Sequence, residues 1–171
     1  RAKYADNLSK QLPRIPCVKQ ESDFWAFSDA GRKLAEIHIN YETASQYPVK
    51  LETSKEVLKD ADYYVTKMKF GKTNKQTDKS IIIYNDHITI KNIPLEAYNY
   101  VVNGKSAIEW VMDRQCVKTD KASQITNDAN DYAKETMNDA SYPLKLLKSV
   151  ITVSLETMKI VNNLPKLELP E

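Results

Sequence analysis

The longest periodic signal in the chain runs from Pro143 to Leu164. Leu144, Leu147, Ile151, Leu155 and Met158 form one apolar stripe, and Leu146, Val150, Val153 and Ile160 form a second. Only a narrow strip of Lys145, Ser149, Thr152, Glu156, Lys159 and Asn163 is polar. Apolar surface on two sides predicts a central core helix packed between other elements, and Pro165 ends it. Near the start, Ala5, Leu8 and Leu12 recur at helical spacing until Leu12-Pro13-Arg14-Ile15-Pro16 imposes an extended strap. Beyond the aromatic cluster Phe24, Trp25 and Phe27, Ser28 is placed to cap a helix carrying Ala30, Leu34, Ile37 and Tyr41. In the polar stretch that follows, Thr53 to Glu56 fits a capping box and predicts a short helix.

The period then changes from 3.6 to 2. Tyr63, Val65, Lys67 and Lys69 alternate with Tyr64, Thr66, Met68 and Phe70, which predicts a strand. Ser80 to Tyr84 and His87 to Lys91 are two more strand-like runs, joined by Asn85-Asp86. Gly71 to Lys79 between them reads as an exposed loop at the tip of two strands. Pro94 opens a helix that Asn103-Gly104 closes, and Ser106 to Cys116 forms another, with Ala107, Trp110, Val111 and Arg114 along one side. That pair invites a helix-turn-helix reading, against which Ile108, Trp110 and Val111 make the second helix look buried. Val117 to Asp131 is polar throughout and reads as a surface loop. The fold class expected is α+β: a small, mostly antiparallel sheet from residues 62 to 91, packed by helices, with a long buried C-terminal helix. Residues 1–48 read as a helical and extended segment, and residues 49–171 as the domain core.

Composition narrows the chemistry. At 171 residues, 42% hydrophobic and 28% charged, the chain has the makeup of a folded domain. Its three glycines, Gly31, Gly71 and Gly104, stand too far apart for a dinucleotide fingerprint. Gly71-Lys72-Thr73 imitates the end of a phosphate loop, but Thr66 stands where that loop requires glycine. Cys17 and Cys116 are isolated and only two histidines occur, so a zinc site has no ligand set. His38 and Glu42 lie one helical turn apart, which suits a local surface or interface pair better than a metal. Asp128 and Asp131 suit turns better than magnesium, and no Glu-x-Lys or Asp-x-Lys triplet supports a nuclease. No metal, cofactor or catalytic residue is therefore expected in this chain. Unpaired cysteines and the lack of a long apolar run lead us to expect a cytoplasmic protein with no membrane partner.

The net charge of +2 means that any nucleic-acid surface must be local. The best candidate is Lys67 to Lys79, where Lys67, Lys69, Lys72, Lys75 and Lys79 face one acid, Asp78, beside Phe70, Asn74 and Gln76. Such a mixture suits phosphates and base edges together. The second is the loop carrying Lys118, Lys121, Gln124, Asn127 and Asn130, rich in amides and hydroxyls.

Several phrases carry a family likeness. Tyr4-Ala5-Asp6, Leu12-Pro13-Arg14-Ile15-Pro16, Phe24-Trp25-Ala26-Phe27 and Gly31-Arg32-Lys33-Leu34-Ala35 stand in order with His38 and Tyr41-Glu42. Ile93-Pro94-Leu95-Glu96-Ala97-Tyr98, Tyr100 to Trp110, Val117 to Ser123 and Ile125-Thr126-Asn127-Asp128 continue the pattern. Over nearly its whole length the chain resembles the C-terminal part of type ISP single-polypeptide, ATP-dependent restriction-modification enzymes. It departs from that pattern at Gln124, where Gly is expected, and at Ala129 and Tyr132, where Pro and Trp are expected. The resemblance implies a target recognition domain that reads double-stranded DNA. Residues 1–48 would then link to an upstream methyltransferase, and ATP, magnesium and S-adenosylmethionine would serve only upstream domains. Two functions follow as expectations: a DNA recognition module using the two basic segments, or a docking domain that packs on the methyltransferase through its N-terminal helix, proline strap and aromatic cluster, with little DNA contact of its own.

Overall fold

A computed structural model of the chain describes residues 18–166. The predicted helix over Ala5, Leu8 and Leu12, the proline strap and Cys17 lie outside these residues. Helix α1 spans Glu21–Ile39 and begins earlier than expected, so that Ser28 sits inside it. Glu21 and Asp23 in its first turn favour the positive end of the helix dipole. Phe27, Ala30, Leu34 and Ile37 form its half-buried stripe.

Strands β1 (Lys50–Thr53), β2 (Lys69–Thr73), β3 (Gln76–Ile83) and β4 (Ile88–Lys91) form an antiparallel sheet in the order β1-β4-β3-β2. The sheet thus takes in residues 50–53, and Thr53, expected to cap a short helix over 53–56, instead ends β1 and donates its hydroxyl to Lys55 C=O at 2.8 Å. Leu51 is registered against Ile90, Ile90 against Ile82, and Ile82 against Phe70, which aligns one apolar face. A bulge interrupts β2 at Phe70/Gly71. A Cβ on Gly71 would lie 2.7 Å from Ile81 Cβ, so this glycine serves close strand packing rather than a phosphate loop.

The strand expected over 63–70 forms only from Lys69, because side chains take the place of a neighbouring strand. A 3-10 turn holds Asp60–Tyr63. Asn85 Nδ2 donates to the carbonyls of Asp62 (2.8 Å) and Tyr64 (2.9 Å). Asn130 Oδ1 accepts from Val65 N–H (2.9 Å) and Asn130 Nδ2 donates to Val65 C=O (3.0 Å). Val117 N–H completes the row by donating to Thr66 C=O. Val65 is fully buried, so its two backbone groups would otherwise be left without a partner.

The chain after Pro94 makes a 3-10 turn (Leu95–Asn99) and then a small hairpin, β5 (Val101–Val102) with β6 (Lys105–Ser106). Asn103 (φ 50°) and Gly104 (φ 84°) form its tight turn, so Asn-Gly closes a hairpin here rather than the turn of a helix-turn-helix. Helix α2 (Ala107–Arg114) follows, with Ser106 and Glu109 making a reciprocal capping box. It buries Ile108 and Met112 and leaves Trp110 half-buried. Strands β7 (Val117–Thr119) and β8 (Thr126–Asp128) form a third antiparallel pair where a plain loop was expected, and α3 (Ala129–Glu135) leads on from β8.

Helix α4 (Tyr142–Asn162) is the predicted core helix and touches α1, α2, α3 and two 3-10 turns. Leu144, Leu146, Leu147, Val150, Ile151 and Val153 are buried on it, each contributing about 1.5–3 kcal/mol by leaving water. His38 and Glu42 do not pair with each other but join the layers. His38 Nε2 shares a 3.0 Å hydrogen bond with Thr157 Oγ1, and Tyr142 Oη donates to Glu42 at 2.9 Å. Among the described residues, no helix is long and apolar enough to cross a membrane.

The Asn130 amide yields a direct expectation. Asn130→Ala strands both backbone groups of buried Val65 and should lower stability by about 2–4 kcal/mol, read as a shift in the urea midpoint.

Candidate nucleic-acid interface

The first basic segment is a rigid hairpin rather than a loop. Strands β2 and β3 run through it, registered Lys72 to Thr77 and Thr73 to Gln76, so that only Asn74 and Lys75 form the tip. Both have positive φ, 52° and 67°, the pattern of a mirror-image two-residue turn. Such turns favour Asn-Gly, and Lys75 in the second place holds a charge at the tip against backbone preference. Lys67, Lys69, Lys72, Asn74 and Lys75 are all exposed. Asp78 is turned to local use, accepting from Ser80 Oγ (2.6 Å) and Thr73 Oγ1 (2.6 Å). Those hydroxyls hold its carboxyl below the usual range.

Lys79 differs from its neighbours. Its Nζ lies 3.1 Å from Glu109 and above the rings of Phe70 (5.4 Å) and Tyr98 (5.2 Å). It ties the sheet to α2, which leaves it committed within the fold rather than available as a free cation. The Ser106 hydroxyl is the main cause of a lowered Glu109 carboxyl; burial opposes it, and the Ser106 N–H and Lys79 add to the lowering.

The second segment is the β7–β8 hairpin. Lys118 and Asn127 are registered partners, and Lys121, Gln124 and Asn127 are exposed. Asp120 organises the turn: its Oδ1 accepts from Ala122 N–H, Ser123 N–H and Ser123 Oγ. Gln124 has φ 58°, which is the physical reason a glycine suits this position, and its amide donates to Lys121 C=O at 2.7 Å. Beside it Ile125 is 68% exposed, an apolar residue at the hairpin end that the polar reading of this stretch overlooked.

Asn130 corrects the expectation of a base-reading residue. It is 2% exposed, and its amide is committed to Val65 and Asp128. Asp128 in turn caps α3 and accepts from Tyr64 Oη at 2.8 Å. Burial pushes its carboxyl up, but hydrogen bonds from Asn130 and Tyr64 outweigh this and hold it low. Ala129, at the first position of α3, donates its N–H to Cys116 C=O (3.3 Å), a bond that proline could not make, and Tyr132 packs edge-on against Tyr142 at 5.7 Å. Both departures from the type ISP pattern therefore fit the fold.

Lys67 and Lys118 come together at a cleft of about 600 Å³, whose lining also includes Phe70, Lys105, Trp110 and Arg114. The sequence reading missed Lys105 as a site residue and placed Arg114 on a packed helix face. Lys105 Nζ (5.2 Å) and the Arg114 guanidinium (5.4 Å) both lie over the Trp110 ring. Among the described residues, no group of three or more His, Cys, Asp or Glu side chains is arranged to hold a metal ion.

Residues 1–146 match the model of the type ISP C-terminal specificity domain. Three solved structures are similar over nearly the whole chain. LlaBIII, an ATP-dependent type ISP restriction-modification enzyme bound to DNA, is 41% identical over 98% of this chain with a TM-score of 0.80. A nuclease-deletion mutant of the type ISP enzyme LlaGI, in complex with a DNA substrate mimic, is 44% identical over 100% of this chain with a TM-score of 0.81. The DrdV–DNA complex is 27% identical over 98% of this chain with a TM-score of 0.73. This chain spans only 10%, 15% and 16% of those three chains respectively. No curated protein matches it.

The backbone at Gln124 is testable by stability alone. Gln124→Gly should leave the unfolding midpoint within about 0.5 kcal/mol of the parent, whereas Gln124→Val should lose about 1–2 kcal/mol, because a β-branched residue resists positive φ.

Proposed function

Because this chain belongs to the type ISP C-terminal specificity domain family, we propose that it recognises a sequence in double-stranded DNA for a larger restriction-modification enzyme. The single observation that supports this most is the pair of ordered hairpins that present Lys69, Lys72, Asn74 and Lys75 on one and Lys118, Lys121, Gln124 and Asn127 on the other. Lysines on such hairpins set register on phosphates, and the amides read base edges in a groove. Lys79 and Asn130 act in this reading as supports for the two hairpins. Residues 49–171 form the recognition core, the protein works in the cytoplasm, and methylation, cleavage and ATP-driven movement belong to other parts of the enzyme.

A salt series of duplex binding by the 171-residue chain tests the proposal. The expected result is a negative slope of log affinity against log salt together with preference for one duplex; neither one appearing would refute it. Lys72→Ala with Lys75→Ala should weaken binding to every duplex and reduce the slope by about 2, while Asn127→Ala should alter the preferred sequence.

A second role in the same domain is supported by α1. Phe24 and Trp25 are 55% and 53% exposed and stack edge to face at 5.3 Å, an apolar patch near the start of the helix. In this reading residues 1–48 link to the methyltransferase and the aromatic pair docks on it. Phe24→Ser with Trp25→Ser in the full-length enzyme should uncouple the domain, seen as faster limited proteolysis between the two parts, with the unfolding of this domain unchanged. Unaltered proteolysis would assign the docking elsewhere.

A further inference from the structure

The cleft between β7 and α2 has an electrostatic asymmetry. Two carboxylates line it, and both have partners: Glu109 pairs with Lys79 at 3.1 Å, and Asp113 pairs with Lys105. Four cations line it, and besides the paired Lys105 these are Lys67, Arg114 and Lys118, none of which, among the described residues, has a carboxylate within ion-pair distance. Asp120, the nearest acid along the chain from Lys118, is occupied by Ser123 and Ala122. The uncompensated charge of the cleft is therefore positive, and an anion entering it meets no free carboxylate.

The cleft also has a fixed aromatic wall. Trp110 Nε1 donates to Val102 C=O at 2.8 Å, which sets the ring's orientation, and the Arg114 guanidinium lies over that ring. The backbones that place the cations are fixed as well: Thr66 C=O accepts from Val117 N–H, and Val65 is held by Asn130. Lys67 and Lys118, the residues next to this junction, are consequently anchored one on each of the two joined segments. A volume of about 600 Å³ admits a nucleotide-sized group, and the mixture of cations with one rigid ring suits a sugar–phosphate chain.

We infer that this cleft is a sequence-independent clamp for the sugar–phosphate backbone of one DNA strand, in which Lys67, Arg114 and Lys118 hold phosphates and Trp110 packs against the sugar. The inference rests on the DNA-recognition reading above and adds to it a positioning site apart from the two hairpin tips, with Arg114 and Trp110 as its new members.

The test uses Lys67→Gln with Arg114→Gln in the 171-residue chain, with two duplexes of unrelated sequence and circular dichroism as the control for folding. Loss of two phosphate contacts should reduce the salt slope by about 2 and weaken binding about thirtyfold at 0.15 M salt, equally for both duplexes. Unchanged affinity and slope in the double variant, with the parent binding normally, overturns the clamp and leaves the wider reading standing. Unequal loss between the two duplexes also overturns it, because the residues would then read bases. A parent chain with no salt-dependent binding overturns both. A second readout does not require a cleft variant. The chain has two tryptophans, so Trp25→Phe leaves Trp110 as the sole indole emitter, and its fluorescence should change on duplex binding with the same salt dependence. Constant emission across a binding curve measured independently overturns the placement of Trp110.

Discussion

One side-chain amide organises the side of the molecule that carries the candidate interface. Asn130, at 2% exposure, closes both hydrogen bonds with the backbone of Val65 and one with Asp128. A carboxamide is the side-chain group that can donate and accept in the geometry of a peptide, so it replaces a neighbouring strand for one residue. The segment before β2 is thereby kept inside the fold without a ladder of its own. Because Asn130 lies in the first turn of α3, directly after β8, the same contact fixes the β7–β8 hairpin against the start of the main sheet. Together with the hydrogen bond from Val117 N–H to Thr66 C=O, it sets the geometry of the junction beside the cleft that Lys67 and Lys118 line.

The core was legible in the sequence because it depends on periodicity. The two apolar stripes of α4 were enough to predict a helix packed on several sides, and Ile88 and Ile90 alternate with polar neighbours as a half-buried strand should. What was illegible depended on side chains acting as backbone. Tyr63 to Phe70 alternates like a strand, yet Asn85 and Asn130 satisfy its first half, and nothing local in the sequence records a partner 65 residues away. Turn chemistry misled in two opposite ways. Asn103-Gly104 is a strong hairpin signal that was read as a helix end, and Asn74-Lys75 forms the same kind of turn without the glycine that would have announced it.

The candidate site was read with similar unevenness. A count of lysines picked out two segments that the fold makes into exposed hairpins, because charge and exposure usually travel together on a polar segment. It could not separate Lys75 at a tip from Lys79 in a clamp of Glu109, Phe70 and Tyr98, since that distinction lies in which residues the fold brings beside each one. Asn130 failed for the converse reason: composition grouped it with exposed amides, while burial made it structural. Arg114 was missed because helical spacing placed it beside Trp110, which suggested a packed face; the ring is half-buried and the guanidinium lies over it.

These features separate what must stay constant from what can change. Hairpin register is carried by backbone pairing, by Asp120 at one turn and by positive-φ residues at both, none of which requires a given side chain at Lys72, Lys121 or Asn127. The supports, Asn130, Lys79, Glu109 and Gly71, face inward or are held by partners, and each has a geometric reason to resist replacement. A specificity domain built this way can alter the side chains that meet base edges while the junction of Thr66 and Val117, and the cationic cleft beside it, keep the same position. Affinity for the backbone and choice of sequence then reside on different parts of one scaffold, which lets the second vary without loss of the first.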